Sequence, residues 1–332
     1  AEVPQFGGNA RIGRSDIVVL EADEYQDKLQ YLQPHGVILT SIEYDHPDFF
    51  PTPESYTDVY RRFVSRIPAN GFLVACADDP VVRAMSNQVS YEVTWYGLGD
   101  LSPFRTKRRK VMNGADDIRL LLPGDHNIQN ALGVLAAAEQ LGVPRDVALR
   151  ALATFQGTRR RFETIGEVGG ITIIDDYGHH PTEIRVTLAA ARERFPDRRI
   201  LCAFHAHTFT RTIALKDQFA TAFVSADHTY VMDIFGSARE HLNNFSPSLR
   251  GGARGGVHAG AQGEQQSPRV VTERLVAAIS VHSPATASGN VEATVEILLR
   301  DVQPGDVVIC MGAGENDRVA RLLVERLRAR MD

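Results

Sequence analysis

The chain has 332 residues, enough for two domains, because a single hydrophobic core usually stops growing at about 250 residues. Its hydrophobic fraction of 43% and charged fraction of 23% are ordinary for a globular protein, and a net charge of −5 gives no electrostatic footprint for nucleic acid. Cys76, Cys202 and Cys310 lie far apart with no CxxC pair, which argues against a disulfide framework or zinc ribbon, and no apolar run nears the roughly 18 residues that span a bilayer. A cytoplasmic protein with neither nucleic acid nor membrane as partner is the expectation.

Along the chain, strand-like and helix-like segments alternate. "DIVVLEA" (Asp16 to Ala22), "HGVILTSI" and "GFLVACA" are short apolar runs of the kind found in a buried parallel sheet. "PESYTDVYRRFVSRI" and "DPVVRAMSN" read as helices, as does "NIQNALGVLAAAEQLGV", which Gly142 should stop, and "PRDVALRALATF" follows as a shorter one. The pattern restarts near Gly157. "GITIIDD", "RRILCAF", "HTYVMDI" and "DVVICMGAG" are strands, and "PTEIRVTLAAARERF", "IALKDQFATAFV" and "DRVARLLVERLRARM" are helices. The fold class expected is therefore α/β, with two mainly parallel-sheet domains over 1–157 and 158–332. Residues 243–268, rich in Gly, Ser and Gln, read as a disordered surface insertion.

Polar residues cluster where strands are expected to end, which is where open α/β sheets bind ligands. Glu21, with Asp23 and Glu24, closes the first apolar run; Glu43, Asp45 and His46 close the second. Carboxylates and an imidazole above neighbouring strands suit Mg²⁺ beside phosphates, although acidic residues also cap strands and start turns. His126, Asn127 and Asn130 fall on the first turn of a helix, placed to meet a base or ribose or simply to cap it. Arg161, at the domain junction, suits either a phosphate clamp or a structural ion pair. In "ITIIDDYGHHPTEI" (Ile171 to Ile184) the strand gives way to a polar loop, with Pro181 suited to the first helical turn and Glu183 to its positive end. Two adjacent aspartates and two adjacent histidines point different ways, so a nucleotide- or substrate-binding loop fits better than a metal centre. "FHAHTFTRTIAL" ends the next strand with His205, His207, Thr210 and Arg211 toward the same ligand end, Arg211 being a natural carboxylate partner.

Together "EADEY", "SIEYDHPDFF", "LPGDHNIQNAL", "RRRFE", "DDYGHHPTEI" and "HTFTRT" resemble the Mur ligases in order and near spacing, and "DDYGHHPTE" is similar to the alanine-adding branch. The resemblance covers almost the whole chain apart from the Gly-rich segment. It implies the remainder of a central ATP-binding domain followed by a Rossmann-like C-terminal domain. It also implies an ATP- and Mg²⁺-dependent, amide-forming enzyme of peptidoglycan synthesis, serving cell shape and division, as a monomer or homodimer. The muramyl carboxylate of UDP-N-acetylmuramate is phosphorylated and the amine of L-alanine attacks the acyl phosphate, chemistry that needs Mg²⁺ and cationic clamps. By the same resemblance, Glu21 and His46 match the metal-binding pair, His126, Asn127 and Asn130 the nucleotide loop, Arg161 and Asp176 the C-terminal ATP contacts, and His207 and Arg211 the amino-acid region.

Three departures matter. The family usually reads Gln-Pro-His-Arg where this chain has His205-Ala206-His207-Thr208, which keeps open a recycling ligase that adds a preformed tripeptide. No lysine lies between Lys28 and Lys107, so the carbamylated lysine of sister ligases has no counterpart. No G-x-x-G-K-[ST] phosphate loop occurs. The chain is expected to open partway through the central domain and, alone, to be a poor ligase, or else a non-catalytic paralogue.

Overall fold

A computed structural model describes residues 1–87, 89, 91–100, 109–111, 117–236 and 268–331. The expected insertion at 243–268 lies outside the described residues except for Pro268, which opens a helix. The chain divides into two compact units, Ala1–Phe162 with Ala189–Arg194, and Glu163–Leu188 with Phe195–Asp332. The Arg159 N–H donates to the Glu2 carbonyl at 2.8 Å and the Arg161 N–H to Thr158 at 3.2 Å, so the arginine run beyond the expected 157/158 boundary stays with the first unit.

In the first unit β1 (Gly36–Leu39), β2 (Phe72–Cys76), β3 (Val93–Tyr96) and β4 (Arg109–Val111) form a parallel sheet in that order. Alternate side chains of β2 serve opposite faces. Leu73 and Ala75 pack with Tyr56, Val59 and Phe63 of α1 (Pro53–Val64) and Val82 of α2 (Pro80–Ser86). Val74 and Cys76 pack with Leu132 and Leu135 of α3 (Asp125–Gln140) and Ala148 of α4 (Arg145–Ala153). Local chemistry sets the helix starts and stops. Thr52 accepts the Ser55 N–H at 3.2 Å and Asp79 the Val82 N–H at 2.7 Å, each just ahead of a proline at the first helical position. α3 ends at Gly142 (φ +73°), whose N–H reaches the Glu139 carbonyl while Val143 reaches Ala138, the paired bonds that close a helix through a left-handed residue.

One expected strand does not form. Residues 16–22 are irregular, with Val18 and Val19 88% and 87% exposed. A strand in a parallel sheet is stabilised by a ladder neighbour and by cover on both faces. Among the described residues β1 pairs only with β2, and nothing holds 16–22 to its outer edge. Sequence reasoning also passed over β3 and β4.

The second unit is a six-stranded sheet in the order β5-β6-β10-β7-β8-β9, comprising β5 (Glu163–Val168), β6 (Ile171–Asp176), β7 (Ile200–His205), β8 (His228–Met232), β9 (Ala285–Gly289) and β10 (Val307–Gly312). β5 and β6 are an antiparallel hairpin turned at Gly169 and Gly170, both at positive φ; every other pair is parallel. β6, β7 and β10 are buried along their whole length, as the centre of a sheet covered on both faces must be. The helices are α5 (Pro181–Arg194), α6 (Phe209–Ala214), α7 (Lys216–Ala222), α8 (Pro268–Ser280), α9 (Val291–Asp301) and α10 (Asn316–Arg328). The segment expected as one helix over 213–224 is α6 and α7 joined at Leu215, because Thr208 accepts the Arg211 N–H and starts the first helix early. β10 lies between β6 and β7, which are consecutive in sequence, so the carboxyl ends of all three strands are neighbours. All three cysteines are buried free thiols, and among the described residues no helix is long and apolar enough to cross a membrane.

Candidate functional site

In the first unit the loop after β1 turns at His46, whose φ of +55° is costly for a residue with a side chain. Asp45 accepts the His46 N–H at 2.7 Å, and the His46 carbonyl accepts from Phe49 and Phe50, both at 2.9 Å, which fixes the turn. The His46 ring lies 4.4 Å from that of Tyr25, and its Nε2 is 3.7 Å from Glu24 and 3.8 Å from Asp45. Glu24 also accepts from the Tyr56 hydroxyl at 3.2 Å. Burial, then the neighbouring tyrosine and Glu24, pushes the Tyr56 hydroxyl well up, so it remains a donor. At Asp23 burial would raise the carboxyl, but Lys28 and the Tyr25 N–H outweigh it and leave it below the usual range. Glu21 stands exposed in the irregular segment, and the carboxylates within 4 Å of His46 Nε2 are those of Glu24 and Asp45.

The Leu122–Gly133 loop is built on Gly124, whose φ is +92° and where a Cβ would stand 2.8 Å from the His126 ring. Asn127 donates to the Pro123 carbonyl at 2.7 Å and lies 3.1 Å from His126 Nε2, so its amide staples the loop. Burial, then the Arg161 charge, lowers the His126 pKa and holds the ring neutral near pH 7. Asn130 and Arg161 are exposed. The structure thus separates the expected nucleotide residues into a loop staple (Asn127), a half-buried neutral ring beside a cation (His126 and Arg161) and a solvent-facing amide (Asn130).

In the second unit β6 ends in Asp175 and Asp176, 0% and 4% exposed. Asp176 accepts the Gly178 N–H at 2.7 Å, and Glu183 accepts the N–H groups of His179 and His180 at 2.9 and 3.1 Å, which ties the polar loop to the start of α5. Asn316, fully buried at the first position of α10, donates to Asp175 Oδ1 at 2.8 Å, the Asp176 carbonyl at 3.2 Å and the Cys310 carbonyl at 3.1 Å. Beyond β7 the His207 ring stacks on Phe235 at 5.8 Å and meets the edge of His179 at 6.3 Å. Arg211, 2% exposed, donates to the His207 carbonyl at 3.1 Å and lies 3.4 Å from its Nδ1. Asp176 ends β6 while His207 and Arg211 follow β7, so the three belong to the same carboxyl edge of one sheet with β10 between the two strands. His205, expected to face the ligand with them, is only 5% exposed and turns toward Glu315 instead.

Sequence reasoning named Glu24 in the acidic cluster but missed Tyr56, Phe235 and Asn316. A signal for Asn316 lies in "GAGEND", where a polar residue opens a helix shortly after the buried strand β10, as the polar loop does after β6 in "DDYGHHPTE".

Among the described residues no three His, Cys, Asp or Glu converge to hold a metal ion. The Glu24 and Asp45 carboxylates lie 3.7 and 3.8 Å from His46 Nε2. Mg²⁺ usually takes one or two carboxylates and completes its octahedron with water and phosphate, and the described residues form no all-protein site for it. For a nucleotide, Asn130 and Arg161 offer exposed polar groups and His126 a neutral ring, which suits base, ribose or phosphate contacts.

The Mur ligase middle domain matches residues 1–138, and the Mur ligase, glutamate ligase domain matches residues 160–314. A UDP-N-acetylmuramate–L-alanine ligase from Roseiflexus sp. (strain RS-1) is 37% identical over 98% of this chain and 70% of its own length. The chain belongs to the Mur ligase family. A similarly named ligase from Sorangium cellulosum (strain So ce56) is 36% identical over 98% of the chain and 67% of its length. Among solved structures, UDP-N-acetylmuramate-alanine ligase from Thermotoga maritima superposes with a TM-score of 0.63 at 22% identity, covering 91% of this Mur ligase chain and 62% of that one. A MurF ligase from Thermotoga maritima in complex with ADP gives 0.62 at 16% identity, over 91% and 64%. These likenesses show the fold: two α/β units with mainly parallel sheets. The chain spans about two thirds of the length of the curated relatives it matches.

Proposed function

We propose that this chain carries the middle and C-terminal domains of a cytoplasmic, ATP-dependent ligase that joins L-alanine to UDP-N-acetylmuramate in peptidoglycan synthesis. The observation that carries this reading is the placing of Asp176, after β6, and of His207 and Arg211, after β7, at the same carboxyl edge of one sheet, in a chain 37% identical to a protein of that name. Arg211, a buried guanidinium beside His207, is assigned the carboxylate of the incoming amino acid, because a planar fork matches a carboxylate in two bonds. His207, held between Phe235 and His179, flanks the incoming amine. In the first unit Arg161, His126, Asn127 and Asn130 are assigned to nucleotide contacts, and in the second unit the family resemblance assigns Asp176 an ATP contact. ATP, when bound, supplies the phosphoryl group that converts the muramyl carboxylate to an acyl phosphate; the alanine amine then forms the amide bond and phosphate leaves with the departing electron pair. Glu21 and His46 as a Mg²⁺ pair rest on family resemblance, and no step is assigned to the metal.

The test is phosphate release and product mass with the native protein, ATP, Mg²⁺ and UDP-N-acetylmuramate, supplying L-alanine or the tripeptide L-alanyl-γ-D-glutamyl-meso-diaminopimelate. Alanine-dependent product supports the proposal. Product with the tripeptide alone would transfer it to the recycling reaction, and no product with either would refute ligase activity.

A further inference from the structure

His205 is the last residue of β7 and is a residue with a task that the strand-end site does not explain. Its ring is buried, and Nδ1 accepts the Glu315 N–H at 3.0 Å. The ring also hydrogen-bonds the backbone of Asp233, beyond β8, and meets Phe235 edge-on at 5.6 Å. The turn after β10 is shaped around this imidazole. At Gly312, where φ is +135°, a Cβ would stand 2.2 Å from the His205 carbonyl oxygen, and at Gly314 it would stand 2.5 Å from Nδ1. Only glycine gives the turn this approach. Glu315 is followed at once by Asn316, whose amide holds Asp175 and the Asp176 backbone.

We propose that His205 is a positioning residue: its neutral imidazole anchors the Gly312–Asn316 turn through the Glu315 N–H and thereby sets the place of Asp175 and Asp176. This rests on the ligase reading for its effect on turnover, but not for the anchoring itself. An imidazolium has two N–H donors and no acceptor, so protonation deletes the anchor. The charged groups facing the ring are Glu315, just ahead of α10, and Asp233 beyond β8; burial opposes the imidazolium and prevails over both, so the pKa is lowered. The turn is therefore held at neutral pH and released as the medium becomes acid.

The experiment is amide exchange of the Glu315 N–H in the native protein between pH 5 and 8, corrected for intrinsic exchange, alongside the pH dependence of turnover. His205→Asn keeps an acceptor near Nδ1 without a titrating ring, and His205→Leu removes the acceptor. In the unaltered protein, protection should fall by about tenfold on acidification, the loss of one buried hydrogen bond. His205→Asn should keep protection without that fall, and His205→Leu should be unprotected throughout. Should His205→Leu fail to fold, the contrast between His205→Asn and the unaltered protein decides. The same acid fall in His205→Asn, or full protection in His205→Leu, overturns the proposal. If the exchange pattern holds but no ligase product forms, the anchor stands and the ligase reading falls.

Discussion

Removing the Asn316 side chain with Asn316→Ala tests whether the second unit's strand ends are held from α10. The amide donates two hydrogens to three acceptors, the Asp175 carboxylate and the carbonyls of Asp176 and Cys310, in a fully buried setting. A bond to a charged group contributes about 1.5–3 kcal/mol and a neutral one about 0.5–1.5 kcal/mol. Because the hydrogens are shared, the sum is an upper bound, and about 3 kcal/mol is expected, on the order of a hundredfold in the opening constant. Hydrogen exchange of peptides spanning β6 and β10 reads this directly. Asn316→Asp sharpens the test by setting a second carboxylate against Asp175. Such a pair ionises fully only at a cost, so the carboxyl pKa is raised in the folded state and stability is lost as pH rises. Asn316→Asp should therefore recover toward acid pH, where a protonated carboxyl again donates. Protection in Asn316→Ala within about threefold of the unaltered protein, or an Asn316→Asp variant that weakens on acidification, would refute the reasoning.

Other outcomes follow from geometry already given. His46 occupies the left-handed region, so His46→Val should lower stability by about 1–2 kcal/mol more than His46→Asn, measured as urea midpoints, since β-branched residues tolerate positive φ worst. Arg199 contacts both oxygens of the buried Asp306 at 3.1 and 2.7 Å and the Asp301 carbonyl at 2.6 Å, so Arg199→Met should cost about 1–3 kcal/mol in thermal unfolding and Arg199→Lys less. Burial, then Arg161, depresses the His126 pKa in the folded state, so its contribution is complete above about pH 6.5, the unfolded value, and is lost as pH falls through the folded one. His126→Gln should flatten part of the acid limb of a stability–pH profile; an unchanged limb counts against a half-buried ring held neutral.

The second unit was the more legible in sequence. "GITIIDD", "RRILCAF" and "DVVICMGAG" are unbroken apolar runs because their strands are buried on both faces, and such runs announce themselves. Pro181 and Glu183 marked the start of α5 by rules confined to one helical turn. "DIVVLEA" carries an equally clear apolar run and yet forms no strand, because a strand depends on its neighbours and not on its own residues alone. The pairing of His46 was readable to within a turn: the acidic run was seen, but whether Glu21 or Glu24 faces the imidazole depends on how the segment bends at Gln26 and Asp27, both at positive φ. Asn316 and His205 were beyond reach for another reason. Each acts on residues more than a hundred positions away, at separations of 141 and 110, and no local pattern encodes such partners.

The three buried cysteines have a practical consequence. Burial pushes the thiol of Cys76 up, and raises those of Cys202 and Cys310 further, so the reactive thiolate is scarce while the protein is folded. One lies in the first unit and two in the second. Alkylation of these sulfurs is thus gated by opening of the surrounding core, and the chain carries its own covalent clock for unfolding, with one hand in the first unit and two in the second.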